Sequence, residues 1–438
     1  MPLRRRESDA MTTAATMPAG FLIRGARVFD GTSQRLIEGK DVLVRDGKIA
    51  VIASGITADS GVVTLDADGR TLMPGLIDAH YHSMFNFWPV SKVLSSDFGL
   101  LCIAASKMAR ETLLRGFTTV RDVGGNCFPI VRATDEGLID GPRVYPCGGY
   151  ISQTSGHGDF RGPLDVPTND GSPLDYFQRV GHTLIADGVP EVIKRTREVL
   201  RMGATQIKAM AGGGVTSLYD PLDVTEYTFE EMKAIVDVAK SWNTYVAIHV
   251  NTDAAIRQWV EAGATSIEHG FFMEDRTAQL LAEKGVWWSM QPMATDEDAL
   301  TFENPISTAK YAQCVSGLDN AVAAAKKYKV KTAFGCDMLF DPKQAAKMGK
   351  YLAKLQKWYT PHEALSMATS ANAQLLKLCG PRDPYPGDLG VVKEGAHADL
   401  LLVDGNPLED LDLVTDPDTN FVVIMKAGKV YKNAIHSS

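Results

Sequence analysis

Pro74-Gly75-Leu76-Ile77-Asp78-Ala79-His80-Tyr81-His82 is the stretch on which the reading of this chain turns. Pro74 and Gly75 punctuate the backbone, and Leu76 to Ala79 is a short apolar run of the kind that makes a buried strand. Side chains two apart on a strand share a face, so His80 and His82 aim both imidazoles at one point. Neutral imidazole is the commonest protein metal ligand, and the pair reads as half of a metal site.

Working outward, the pattern after Leu76 alternates strand and helix. Strands are expected at residues 118–121, 143–146, 206–210, 245–250, 266–269, 286–290 and 331–335. Helices fit between several of them. Residues 191–202 place Val192, Val199 and Leu200 on one side, and residues 229–241 repeat Met232, Ile235, Val236 and Ala239. A further helix is expected over residues 361–378. Parallel strands joined by helices argue for a TIM-like (β/α)8 barrel, and the absence of G-x-G-x-x-G after any strand weakens a doubly wound open sheet.

Before Leu76 the helical period is missing. Phe21-Leu22-Ile23, Arg27-Val28-Phe29 and Asp41-Val42-Leu43-Val44 are short strand candidates, with Asp30-Gly31 and Asp46-Gly47 as turn signals. Strand character returns at Leu400-Leu401-Leu402-Val403 and over residues 421–425. The expected fold class is α/β: a barrel over residues 74–372 and a β-sandwich domain built from both chain ends, residues 18–73 and 373–438. Residues 1–17 are expected to be a disordered tail.

The chain has 438 residues, 45% hydrophobic and 22% charged, with a net charge of −8. That balance, without a long basic run, argues against a nucleic-acid partner. Arg4-Arg5-Arg6 imitates the start of a signal peptide, but the residues that follow are polar. No apolar run approaches the ~18 residues that span a bilayer. Six scattered cysteines without C-x-x-C fit buried thiols in a reducing compartment. A cytoplasmic location with no membrane partner is expected.

Barrel active sites sit where strands end at their C-terminal mouths. Lys208 lies near the end of the fourth strand, His249 ends the fifth, His269 the sixth, and Asp337 follows the eighth. A lysine inside an apolar strand is rarely left as an unpaired buried cation. His157 follows the third strand in Gly156-His157-Gly158-Asp159. Aromatic and apolar clusters flank three of these positions: Phe85, Phe87 and Trp88; Phe271, Phe272 and Met273; Met338, Leu339 and Phe340. They suggest an apolar mouth of the kind that lines small-molecule pockets.

The order of these residues resembles the binuclear metal branch of the amidohydrolase superfamily, and in particular its prolidase, carboxypeptidase-like and ochratoxin-hydrolysing members. Matching flanks are Pro74 to His82, Gly116 to Gly125, and the closing segment from Ala396 to Leu400 and Asn406 to Leu408. The resemblance runs from residue 20 to residue 433. It implies that His80, His82 and Asp337 bind the more buried of two divalent ions, and that His249 and His269 bind the more exposed one. It also implies that Lys208 bridges the two as N6-carboxylysine. An ammonium cannot ligate a cation, whereas a carbamate offers two anionic oxygens. Zinc suits such ligands, as do cobalt and manganese.

In this pattern Asp337 accepts the proton of the attacking water and passes it to the leaving nitrogen. His157 resembles a loop histidine that holds the substrate carbonyl or carboxylate. Asn251 stands where many peptide-cleaving relatives carry a tyrosine, and it is the second substrate-binding candidate. His182, His362, His397 and His436 match no ligand position.

The implied activity is cleavage of the amide in N-acyl or N-aroyl amino acids, as in the conversion of ochratoxin A to ochratoxin alpha and phenylalanine. Alternatives are a prolidase, or an imidazolonepropionase-like or deaminase hydrolase on the same barrel. Lys208 argues against a mononuclear centre, because one metal needs no bridge. A non-enzymatic scaffold is disfavoured because every ligand type is present. The partner expected is a small-molecule amide, and relatives commonly form homo-oligomers.

Overall fold

The computed structural model describes residues 18–168 and 171–435. The tail expected over residues 1–17, and His436, lie outside the described residues. Both chain ends meet in one eight-stranded sheet. Its order runs from Lys429–Asn433 through Phe421–Lys426, Leu400–Val403, Thr71–Pro74, Gly20–Val28 and Ile37–Arg45 to Lys48–Ala53. Val62–Asp66 pairs parallel to Gly20–Val28. The seam between the ends is the antiparallel pairing of Leu400–Val403 with Thr71–Pro74. Ile23, Val42, Leu72, Leu400 and Val423 share its buried apolar cluster.

Local chemistry explains the hairpin within this sheet. Ile37–Arg45 and Lys48–Ala53 are joined by Asp46-Gly47, with φ of 49° and 72°. Two left-handed residues make the turn whose twist matches that of the strands. The two strand candidates at 21–23 and 27–29 are one strand, Gly20–Val28. Its register slips between Ile23 and Ala26, with Gly25 at φ 66° in the slip, which is why the sequence pattern breaks there.

Every strand expected from the alternating pattern is present. Leu76–Tyr81, Phe117–Asp122 and Arg143–Pro146 form one parallel sheet. A second parallel sheet has the order Thr183–Ile185, Tyr150–Ser152, Ile207–Met210, Val246–Thr252, Ser266–Phe272, Trp287–Met290 and Lys331–Phe334. Its first two strands are three residues long, too short for a periodic signal. The helices Val189–Met202 and Phe229–Ser241 bury the residues that the period placed inside. Phe229–Ser241 opens with a capping box between Thr228 and Glu231. Among the described residues no helix is long and apolar enough to cross a membrane.

Side chains stitch the two parallel sheets together. Gln206 Nε2 donates to the carbonyls of Asp122 and Tyr145, each at 3.0 Å. On the opposite flank, Asn372 Nδ2 donates to Ile77 O at 2.7 Å and Phe334 O at 2.8 Å, and its Oδ1 accepts from Phe334 N at 3.0 Å. Asn372 thus bridges the first and last strands of the alternating region. It follows a π-helical turn, Met367–Ala371, inside the helical run that opens at Pro361–Ser366. Close approach here requires Gly335, because a Cβ at that position would overlap the backbone and Cβ of His80.

Asn372 is fully buried, so deleting its amide leaves backbone groups of both strands without partners. Asn372→Ala is expected to lower stability by about 2–4 kcal/mol, read as a reduced midpoint of urea unfolding. A loss below about 0.5 kcal/mol would show that the two strands do not depend on this bridge.

Candidate metal centre

The centre is built on strand ends. His80 ends on the face of its strand that looks towards Asp337, and its Nε2 lies 3.2 Å from Asp337 Oδ1. His82 Nε2 lies at the same distance from the same oxygen. His269 Nδ1 is 3.8 Å from Asp337 Oδ2. The His80 and His269 rings are 4.8 Å apart, and His249 lies 4.3 Å from His269. His80, His269 and Asp337 form a group whose ligand atoms all lie within 4.8 Å of one another. His157 stacks on His249 at 4.0 Å and 20°. All of the predicted site residues border one cavity.

The register explains how adjacent residues both serve the centre. His249 pairs with Glu268, and Met210 pairs with His249, so Glu268, His249, Met210 and Lys208 project from the same side of the sheet. By alternation His269 should then point away. Instead its backbone turns left-handed, with φ 72°, and the ring comes round to Asp337. Asp337 is also left-handed, at φ 53°, and its N–H donates to His80 O at 3.0 Å. Non-glycine residues held in this region mark strained positions, which cluster at functional sites.

Behind the centre lies a buried charge chain. His80 Nδ1 bonds Glu268 Oε2 at 2.9 Å, and Arg121 Nη2 donates to both Glu268 oxygens at 2.7 Å. Arg121 also bonds Ala79 O and Ser266 Oγ. Neither charged side chain is exposed. With Nδ1 occupied by Glu268, His80 turns Nε2 to the cavity. His82 is oriented in the same way by Gly124 O, 3.3 Å from its Nδ1. His249 Nε2 lies 3.3 Å from Gly213 O, which leaves Nδ1 as its free ligand atom.

The electrostatics fit cation binding. Burial opposes a charge on Asp337, yet His80, His82 and His269 hold its carboxyl well below the usual aspartate range. Burial similarly opposes ionisation of Glu268, and Arg121 and His80 overcome it. Burial drives His249 and His269 well below the usual histidine value, towards the neutral form that ligates. Lys208 is 2% exposed, and burial lowers its pKa. Imidazole and carboxylate donors, held by outer hydrogen bonds, are a suitable set for a divalent ion.

Within the cavity wall, Phe85, Phe271, Met338, Leu339 and Phe340 are among the apolar residues flagged by their positions in the chain. Phe87, Trp88, Phe272 and Met273 do not border it. Phe160, Met293, Leu300 and Phe302 complete the apolar wall from loops that carry no periodic signal. Asn251 borders the cavity, but its Nδ2 donates to Gly213 O at 2.8 Å. His182 sits among Phe85, Phe98 and Phe177, where burial pushes its pKa down to about 3. His362 and His397 bond elsewhere, to Thr32 O and Pro386 O.

Comparison with known proteins agrees with this geometry. A model of the amidohydrolase family matches residues 71–435. The chain belongs to the amidohydrolase family. Aspergillus niger ochratoxinase is 34% identical over 380 residues, covering 82% of this chain and 75% of its own. Its crystal structure superposes with a TM-score of 0.82 at 27% identity, over 96% of this chain and 97% of that one. Another amidohydrolase of known structure gives 0.87 at 34% identity, covering 95% and 100% of the two chains. A prolidase solved with N-methylphosphonate-L-proline gives 0.85 at 32% identity, covering 94% and 99%. Amidohydrolases generally bind metal ions, and His80, His269 and Asp337 form a cluster that could hold one.

The buried pair makes a stability prediction for this amidohydrolase. Glu268→Gln leaves the Arg121 cation without its counter-charge, at an expected cost of about 3–5 kcal/mol near neutral pH. The folded carboxyl titrates below its ordinary value of 4.5. Its contribution is therefore complete above that value and is lost as pH falls through the folded pKa, because the unfolded chain takes up the proton first. The stability gap between wild type and variant should be constant above about pH 5 and close on further acidification. A gap independent of pH down to the acid limit of folding would mean that Glu268 is not the charged partner.

Proposed function

We propose that this amidohydrolase is a binuclear metal enzyme that cleaves the amide of N-acyl and N-aroyl amino acids and releases the free amino acid. One observation carries the reading. A histidine outside the ligand set, His157, stacks on His249 at the edge of an apolar cavity whose floor is the candidate metal centre. Similarity to ochratoxinase supports it. We also read the two parallel sheets as the wall of one (β/α)8 barrel over residues 74–372, with the terminal sheet folded as a β-sandwich from residues 18–73 and 373–438. The bridges from Gln206 and Asn372 support that closure.

In this reading His80, His82 and Asp337 would hold one ion, His249 and His269 would hold a second, and Lys208, carboxylated, would supply an anionic ligand. Lowering of the Lys208 pKa by burial favours the free amine, the form that adds CO2. The chemistry that bound divalent ions would supply is a water made acidic and a carbonyl polarised for attack. Asp337, ionised and 3.2 Å from the Nε2 atoms of His80 and His82, takes the proton of the attacking water. It returns that proton to the leaving nitrogen as the C–N bond breaks. His157 bonds the substrate carboxylate through Nε2, and Asp220, 3.2 Å from its Nδ1, is the buried counter-charge. The apolar wall receives the acyl group and an aromatic leaving residue. Ochratoxin A, a phenylalanine amide of a flat aromatic acid, has that shape.

A prolidase activity is the second reading, favoured by the prolidase structure at 32% identity. Both readings are tested by kcat/KM for N-benzoyl-phenylalanine against its glycine and lysine counterparts, the phenylalaninamide and an Xaa-Pro dipeptide. Preference for the aromatic acid is expected; preference for the dipeptide would favour the prolidase. Lys208→Ala should lose bound metal and most activity, with partial rescue by acetate. Asp337→Asn should lower kcat by about 10²–10⁴. Full activity of either variant would overturn the role assigned to that residue.

A further inference from the structure

Beyond the counter-charge of Asp220, the loop from Gly212 to Asp220 has no part in the proposed chemistry, yet it grips His157 on two sides. Asp220 Oδ2 accepts from Ser217 Oγ at 2.5 Å and from Gly214 N at 2.7 Å. His157 Nδ1 lies 2.6 Å from Ser217 Oγ and 3.2 Å from Asp220 Oδ2. Serine has one hydroxyl proton, and the carboxylate takes it. Nδ1 must then carry the proton of its own contact, and Nε2 is the ring atom left to meet a substrate, donating to a carboxylate when it too carries a proton. One face of the ring lies on His249, while Gly214 lies so close that a Cβ there would overlap three ring atoms.

The loop is itself pinned from outside. Lys310, on the helix Pro305–Tyr328, is 7% exposed. Its Nζ donates to Gly214 O at 2.9 Å, Ser217 O at 2.8 Å and Asp220 O at 2.8 Å. All three ammonium protons are spent on this one loop. Asp220 Oδ1, 3.8 Å away, supplies the counter-charge. The backbone N–H of His157 is held as well, donating to Glu226 Oε1 at 2.8 Å.

We propose that Asp220 and Lys310 are positioning residues that hold His157 for the substrate's free carboxylate, so that this clamp sets the preference for carboxypeptidase-like substrates. The inference rests on the reading of His157 as the carboxylate ligand. Asp220 fixes the ring by its Nδ1 edge, and Lys310 keeps the loop that carries Asp220 and Gly214 against the ring. No new bond to substrate is made by either residue.

The test compares N-benzoyl-phenylalanine with N-benzoyl-phenylalaninamide in wild type, Asp220→Asn, Lys310→Met, His157→Gln and the Asp220→Asn/His157→Gln double variant. Metal content is measured in each. Asp220→Asn is expected to raise KM for the acid about 10–100-fold, the scale of one charge-assisted hydrogen bond, with a smaller change in kcat. KM for the amide should be unchanged, metal content should match wild type, and the substitution should add nothing in the His157→Gln background. Lys310→Met should shift the acid in the same direction. Gly214→Ala, whose Cβ displaces the ring, gives the same readout if an Asp220 variant fails to fold. Equal loss for acid and amide, or additive losses in the double variant, would overturn the clamp. Wild-type enzyme that hydrolyses acid and amide equally would instead remove the carboxylate reading of His157, and the clamp with it.

Discussion

A salt bridge sealed inside the sheet is the constraint on which the site depends. Arg121 and Glu268 are both fully buried, and Glu268 also bonds His80 Nδ1 and accepts from Ser266 Oγ. Neither charge is tolerable alone, so the pair forces the second and sixth strands of the pattern into one relative position. Arg121 also bonds Ala79 O, tying the first strand to the same point. The aim of His80 is therefore set by strand packing, not by a surface loop. An oriented donor loses little freedom on meeting a cation.

The rest of the centre is completed by backbone strain. His269 and Asp337 both adopt left-handed conformations that side chains disfavour. Without the turn at His269, alternation would send its ring to the other side of the sheet. At Asp337, the bond from its N–H to His80 O holds the carboxylate beside the histidines. The bonds of Asn372 and of the Arg121–Glu268 pair hold the strands on which these strained residues sit.

Much of this was legible in the chain. His80, His82, His249, His269, Lys208 and Asp337 stand at strand ends, and strand ends follow from apolar periodicity. Glu268 was hidden because alternation assigns it and its neighbour His269 to opposite faces, and only the three-dimensional turn brings both to one centre. Arg121 carried the same signal as Lys208, a charge within an apolar strand, although its partner lies 147 positions away. Asn372 could not be read, since its bonds go to backbone atoms that have no identity in a sequence. Of the aromatic clusters, Phe85 and Phe340 face the cavity while Phe87 and Trp88 do not, because loop direction is decided by packing and not by period.

The seam of the terminal sheet has a bearing on how the molecule is made. Thr71 Oγ1 donates to Gly405 O across 334 positions, and the neighbouring backbone pairs Thr71–Pro74 with Leu400–Val403. During synthesis at about 5–20 residues per second, the edge of the early strand waits roughly half a minute for its partner. An open apolar edge is a template for wrong pairings while it waits. A slower ribosome therefore lengthens the time for which that edge stands open.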